Sequence, residues 1–217
     1  MRRHVLLFDL DGTLVDSAGG IAAALSRVRG ERGAGPITAD IVRPWISLGA
    51  DALVARALGE HARDPAADLA CFRAILSELP SDPDCVYPDV VETLDRLART
   101  GFAMAVITNK PERLSRGLLA DLNLGERFVE VVGGDTTAHA KPHPAPMRHI
   151  LAALDAQPEQ TILIGDSAVD AAAARVFAVP FLLFDGGYGA GECDPADVAG
   201  HFAAFRDLPA LIERVAV

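Results

Sequence analysis

The apolar positions of this chain fall into two rhythms. Short continuous runs at 5–8, 102–107, 128–132, 161–164 and 180–184 recur between longer stretches with helical spacing. Apolar runs without strict alternation fit strands buried on both faces of a parallel sheet. Between them, residues 89–100, 112–122, 146–155 and 168–177 read as helices. Leu94, Leu97 and Ala98, for example, show the i, i+3, i+4 spacing of a buried helix face. This alternation predicts an α/β fold, an open parallel Rossmann-like sheet with helices on both faces. One segment breaks the rhythm. From 16 to 85 there is no strand-like run, only helical stretches at 21–31, 39–46, 50–58 and 66–79. They are separated by Gly33-Ala-Gly35-Pro36, Gly59 and Asp64-Pro65, and Pro80-Ser-Asp-Pro83 reads as the return linker. The expected division is therefore a core of 1–15 and 86–217 with a small all-helical insert of 16–85 after the first strand.

Composition narrows the class. At 217 residues the chain is long enough for one domain with a modest insert. A chain of this size buries roughly 70% of its unfolded surface, so it needs no staples. With 50% apolar and 23% charged residues it is neither disordered, nor collagen-like, nor a disulfide miniprotein. No apolar run approaches the roughly 18 residues of a membrane span. Twenty basic against 30 acidic residues leave a net charge of −10, unsuited to nucleic acid. A small phosphorylated metabolite remains compatible, because a cation and one lysine reverse the sign of a pocket. Arg27, Arg29 and Arg32 read as one solvated helix face. Cys71, Cys85 and Cys193 are widely spaced and lack a CxxC, which fits a reduced cytosol. Arg2, Arg3 and His4 make a basic start, but Asp9 cuts the following apolar run too early for a signal peptide. A cytoplasmic monomer or homodimer, with no nucleic-acid or membrane partner, is the expectation.

The polar residues of interest fall just after the strands, where open α/β sheets place their ligand crevice. Asp9-Leu-Asp11-Gly12-Thr13 follows the first. Residues i and i+2 of an extended chain point to one side, so Asp9 and Asp11 can share a pocket. Two close carboxylates call for a proton or a cation between them, and hard oxygens favour Mg²⁺. Gly12 permits a sharp turn whose N–H groups can face an anion; an Asp-rich turn is the plainer reading. Thr108-Asn109-Lys110-Pro111 follows the second strand, offering either phosphate contacts at a helix start or ordinary capping. Lys110 reads equally well as a solvated residue. Lys141, in Lys141-Pro-His143-Pro144, is either a fixed positive charge or an exposed loop lysine. His139 and His143 lack a further N/S ligand for zinc. Asp166 and Asp170, in Gly165-Asp-Ser-Ala-Val-Asp170, stand one helical turn apart. Both could reach one Mg²⁺, or both could serve a helix N-terminus.

The order and strand-end placement of these four motifs resemble the haloacid-dehalogenase-type hydrolases, in particular their phosphoglycolate-phosphatase-like phosphatases. The resemblance extends through the helical insert, which corresponds to the family's cap. It also covers Val42-Arg-Pro-Trp-Ile46, Gly49-Ala50, Lys141-Pro-His-Pro-Ala-Pro146 and Gly186-Gly-Tyr188-Gly189. Two stretches depart from it. Trp45-Ile46-Ser47 has serine where these relatives usually show glycine, close to the substrate-facing cap loop. Arg175-Val-Phe-Ala178 has alanine where an Ala-Gly pair is usual, a difference expected to be structural.

The resemblance implies a Mg²⁺-dependent phosphomonoesterase. Asp9 would attack phosphorus, and Asp11 would serve as acid and then base. Thr108 and Asn109 would hold phosphate oxygens, and Lys141 would balance charge. Gly12 and Thr13 would also contact the substrate. Asp9, Asp11 through its backbone carbonyl, Asp166 and Asp170 would form the metal site. Arg43, whose fork suits bidentate pairing, is the cap candidate for a substrate carboxylate. The best substrate expectation is 2-phosphoglycolate. A sugar phosphate or amino-sugar 6-phosphate, a phosphoglucomutase-type reaction, or a non-catalytic binding module of the same fold are the alternatives. A dehalogenase is disfavoured, since attack on a carbon–halogen bond needs neither the Asp11 acid nor Mg²⁺.

Overall fold

A computed structural model describes residues 5–215; the basic start at Arg2, Arg3 and His4 lies outside the described residues. Six strands, β1 (Val5–Phe8), β2 (Ala103–Ile107), β3 (Glu130–Val132), β4 (Thr161–Gly165), β5 (Phe181–Phe184) and β6 (Gly200–Phe202), form one sheet in the order β3-β2-β1-β4-β5-β6. All pairings are parallel; Phe8 of β1 lies opposite Val106 on one side and Ile164 on the other. The helices are α1 (Ala18–Gly30), α2 (Ala39–Ile46), α3 (Ala50–Leu58), α4 (Pro65–Glu78), α5 (Val90–Arg99), α6 (Glu112–Asp121), α7 (Pro144–Ala153), α8 (Ala168–Val176) and α9 (Leu208–Val215).

The continuous apolar runs do what their pattern predicts. Leu6 and Phe8 pack on one face against Leu94 and Leu97 of α5 and Leu211 and Ile212 of α9. Val5 and Leu7 pack on the other against Met147 and Ile150 of α7 and Ala171 and Ala174 of α8. Successive side chains of one strand therefore feed two cores, and the strand can afford no polar position.

The helices of the insert bury a core of their own, centred on Leu25, Val28, Val42, Leu53 and Phe72. The chain enters and leaves them through two paired segments: the Asp16 N–H donates to the Cys85 carbonyl at 2.7 Å, and the Tyr87 N–H to that of Leu14 at 3.1 Å. The solvated face expected for Arg27, Arg29 and Arg32 does not form as such. Arg32 makes a buried pair with Asp68 at 2.7 Å, and Arg29 donates to the carbonyls of Gly35 and Ala57. The C-terminal end of α1 is thereby tied to α3 and α4.

Two elements, β6 and α9, are additional to those the sequence pattern announces. The three residues of β6 include an exposed His201 and present no apolar run. Helix α7 begins two residues earlier than its apolar period, because the His143 Nδ1 accepts the Ala145 N–H and Pro144 occupies the first turn. Ala178, at the end of α8, has φ 52°, in the left-handed region that glycine prefers. Among the described residues no helix is long and apolar enough to cross a membrane.

Candidate active site

The strand order reverses direction between β1 and β4, and ligands of open α/β sheets bind at such a switch, beyond the carboxyl ends of the strands. Asp9 leaves β1 there, its N–H bonded to the Ile164 carbonyl at 2.9 Å. Asp166 follows β4, and Thr108 follows β2. Lys141 returns from the loop after β3. The turn at Gly12 has φ 91°, and a Cβ there would lie 2.5 Å from the Asp166 Oδ2. A Cβ at Gly187 would lie 2.1 Å from the Asp166 Cβ. Only hydrogen fits at either position, so both glycines let two backbones close around one carboxylate. Asp166 then accepts from Thr13 Oγ1 at 3.0 Å and from the Tyr188 N–H at 2.7 Å.

Each of Asp9, Asp166 and Asp170 offers a carboxylate oxygen, and these oxygens lie within 4.8 Å of one another, all buried. The Lys141 ammonium donates to Asp9 Oδ1 at 2.8 Å, Asp170 Oδ1 at 2.6 Å and the Ile107 carbonyl at 2.7 Å. The Ser167 hydroxyl donates to the second oxygen of Asp170 at 2.6 Å. Three carboxylates against one ammonium leave two negative charges in a buried cluster. Burial, with the neighbouring Asp170, pushes the carboxyls of Asp9 and Asp166 well above the ordinary range; Lys141 opposes the rise at Asp9 without cancelling it. Burial alone would lower the Lys141 ammonium, but its two carboxylate partners hold it above its usual value. A divalent cation would neutralise the excess charge, and an all-oxygen donor set suits Mg²⁺. The residues present therefore fit that metal.

Asp11 is held differently. Lys110 donates to both of its oxygens, at 3.1 and 3.2 Å, and both side chains are largely buried. Lys110 is therefore no solvated surface residue. Thr108 is buried, and its hydroxyl accepts the Lys110 N–H at 3.2 Å. Asn109 donates through Nδ2 to the Lys141 carbonyl at 2.9 Å, and its buried Oδ1 has no hydrogen-bond partner among the described residues.

The far wall of the crevice comes from the insert. Ile46, Ser47, Leu53, Phe72, Arg73 and Leu76 line that wall, opposite Asp9, Asp11, Thr108, Asn109, Lys110, Lys141 and Asp170. Ser47, the sequence departure in the cap loop, is thus at the crevice. Gly12 and Thr13 are not among its lining residues; they sit behind it, packed on Asp166. Arg43 is not brought there either. Its guanidinium pairs with Asp16 at 2.9 Å and Asp40 at 2.8 Å, and Asp16 also accepts the Tyr188 hydroxyl at 2.8 Å. Arg43 ties α2 to the entry segment of the insert, and the expectation that it meets a substrate gives way to that role. Two residues at the crevice, Ser167 and Arg73, received no role from the sequence, nor did Tyr188, whose N–H holds Asp166. The hydroxyl of Ser167 and the backbone of Tyr188 offer no sequence signal of their own. Arg73 does: it interrupts the stripe of Leu69, Phe72 and Leu76 on α4.

A parallel sheet with a carboxylate after β1, a hydroxyl after β2, a lysine after β3 and a carboxylate pair after β4 defines a class. The family model of the haloacid dehalogenase-like hydrolases matches residues 6–184, and the chain belongs to that family. It is 37% identical over 215 residues to the phosphoglycolate phosphatase of Rhodospirillum rubrum, covering 95% of this chain and 88% of that one. It is 38% identical over 216 residues to the phosphoglycolate phosphatase of Pseudomonas putida, covering 96% and 78%. Among solved structures, a predicted phosphoglycolate phosphatase of Haemophilus somnus superposes with a TM-score of 0.85 at 27% identity, covering 97% of this chain and 98% of that one. By class the chain is a phosphoric monoester hydrolase.

Proposed function

We propose that this enzyme is a Mg²⁺-dependent phosphomonoesterase whose substrate is 2-phosphoglycolate, cleaved to glycolate and phosphate. The observation that carries the chemistry is the convergence of Asp9, Asp166, Asp170 and Lys141 at the carboxyl ends of β1 and β4. The curated relatives of Rhodospirillum rubrum and Pseudomonas putida support the substrate.

In this reading an Asp9 carboxylate oxygen attacks phosphorus, and the bond from phosphorus to the glycolate oxygen breaks. Asp11 gives its proton to that departing oxygen. It then takes a proton from the water that attacks the aspartyl phosphate, and phosphate leaves Asp9 free. Lys141 holds Asp9 in place and offsets its charge against the phosphate. Thr108 and the Asn109 side chain hold phosphate oxygens. Asp9, Asp166 and the backbone carbonyl of Asp11 would hold Mg²⁺, with Asp170 either a fourth ligand or the partner that fixes Lys141. When bound, the cation supplies charge neutralisation for a dianionic ester approaching carboxylates, the main requirement of phosphoryl transfer. Residues 16–85 act as a cap hinged at the Asp16–Cys85 and Leu14–Tyr87 pairings, closing over the crevice to exclude water.

Phosphate release from a panel of esters, with Mg²⁺ and with EDTA, tests this. The panel holds 2-phosphoglycolate, hexose 6-phosphates, an amino-sugar 6-phosphate, a nucleotide and pyrophosphate. The expected result is Mg²⁺-dependent release, with kcat/KM at least about tenfold higher for 2-phosphoglycolate, or about 1.4 kcal/mol in the transition state. Conversion of one sugar phosphate to another without phosphate release would replace the reading with a mutase.

A further inference from the structure

Three cations line the crevice: Lys141, Lys110 and Arg73. Two are committed within the chain, Lys141 to Asp9 and Asp170, Lys110 to Asp11. Arg73 is not. Its Nε is buried without a hydrogen-bond partner, and no described residue pairs with its guanidinium. Its surroundings make this costly. Ile46, Leu53, Phe72 and Leu76 of the cap and Leu114 of α6 supply apolar surface around it. A buried, unpaired donor carries an unrecovered desolvation penalty. Arg32, elsewhere in the cap, has its Asp68. Arg73 is half-buried, with a buried Nε that lacks such a partner, and it lines the crevice on the wall across from Asp9 and Lys141.

We propose that Arg73 determines substrate specificity by pairing with a carboxylate on the leaving group of the ester. This rests on the phosphomonoesterase reading and sharpens it. The planar fork of an arginine matches a carboxylate in two parallel hydrogen bonds, and in an apolar wall such a pair is shielded from competing water. A site built to pair a charge also rejects the analogue that lacks it, because the arginine's buried Nε is then left unpaired. The sheet side of the crevice handles the phosphoryl group, common to all phosphomonoesters. Arg73 reads what distinguishes one from another.

The test compares two esters of nearly equal size: 2-phosphoglycolate and 2-hydroxyethyl phosphate, in which a neutral hydroxymethyl replaces the carboxylate. Wild type and the Arg73→Gln and Arg73→Lys variants are assayed on both with Mg²⁺. The expected result for Arg73→Gln is a loss of kcat/KM on 2-phosphoglycolate about a hundredfold greater than on the neutral ester, or about 2.7 kcal/mol. Arg73→Lys should recover part of that ratio, through a point charge without the fork. Equal losses on both esters, or no loss on either, overturn the role of Arg73. A wild type that hydrolyses both esters without preferring the carboxylated one overturns the substrate reading instead, so the two failures are distinct. A second measurement does not depend on turnover. Calorimetric affinity for 3-phosphonopropionate relative to propylphosphonate should be higher in wild type and should level out in Arg73→Gln; an unchanged ratio also overturns the proposal. Thermal melting of each variant separates loss of fold from loss of contact.

Discussion

The sheet side of the crevice holds each of its charged groups by hydrogen bonds from within the chain, whereas the cap side presents one cation that no described residue pairs. Asp9 and Asp170 share Lys141, Asp11 is held by Lys110, and Asp166 accepts from Thr13 and Tyr188. Arg73 stands among apolar side chains alone. The two walls do different kinds of work. Charges that develop during phosphoryl transfer are best met by groups already fixed in place, because reorganising them during the reaction would raise the barrier. A charge that recognises a substrate is best left without an internal partner, because the substrate then completes it.

The largest effect should come from breaking the sheet side. Asp9→Asn keeps the shape and removes the nucleophile. Turnover of every ester should fall by at least about ten-thousandfold, the scale seen when a catalytic unit loses its nucleophile. The fold should persist, since the amide oxygen can still accept from Lys141 and one of three crowded carboxylates is gone. Phosphate release and a thermal melt together check this. Activity within tenfold of wild type in a folded Asp9→Asn enzyme would falsify the nucleophile assignment.

How much of this was legible in the sequence follows the same division. The strand β1 was readable to the residue, because a run buried on both faces permits no polar interruption, and Asp9 ends it. Thr108 and Asp166 were readable as strand-end residues for the same reason; Lys141, in the loop between β3 and α7, was legible only through the family resemblance. The three-residue β6 was not, because its edge position asks for no continuous apolar pattern and His201 faces outward. On the cap side, Arg43 and Arg73 are both single arginines on short helices. Composition cannot say that one meets Asp16 and the other an empty wall. The only local sign was the interruption of the α4 stripe at Arg73, and such a position often snorkels to solvent. Cap side chains converge through the packing of separate helices, which one sequence leaves undetermined. Lys110 was left undecided for a related reason: its partner, Asp11, lies 99 positions away.

Lys110→Met should have an effect of intermediate size. The substitution keeps the apolar stem and removes the charge that holds Asp11. A positioned acid–base group contributes about 10²–10⁴ in rate. Losing its anchor while keeping the group should lower kcat about tenfold to a hundredfold. The loss should be alike for 2-phosphoglycolate and 2-hydroxyethyl phosphate, because both leaving oxygens need the same proton. Arg73→Gln should separate the two esters; Lys110→Met should not. If Lys110→Met instead costs activity only on the carboxylated ester, then Lys110 reads the carboxylate and the division between the two walls fails.

The smallest expected effect concerns a charge-free position on the sheet side that takes no part in the chemistry. Ala178 is exposed at the end of α8 with φ 52°, and its backbone already makes the turn that closes the helix: its N–H donates to the Arg175 carbonyl, and that of Val179 to the Ala174 carbonyl, both at 3.1 Å. An L-residue in this region costs about 1–2 kcal/mol from crowding of its Cβ against the carbonyl. Glycine removes that cost but adds about 0.5–1 kcal/mol of unfolded-chain entropy to be lost on folding. The methyl group lies in solvent and contributes little burial. Ala178→Gly should therefore stabilise the protein by about 0.5–1 kcal/mol, a rise in Tm of about 1–4 °C for a chain of this size. Activity on both esters should stay within experimental error, since the crevice does not include the turn. A lower Tm would mean that the alanine is held by contacts stronger than its backbone strain. A higher Tm would mean that the departure from the family's usual Ala-Gly pair is a backbone cost the core tolerates because nothing in its paired charges depends on it.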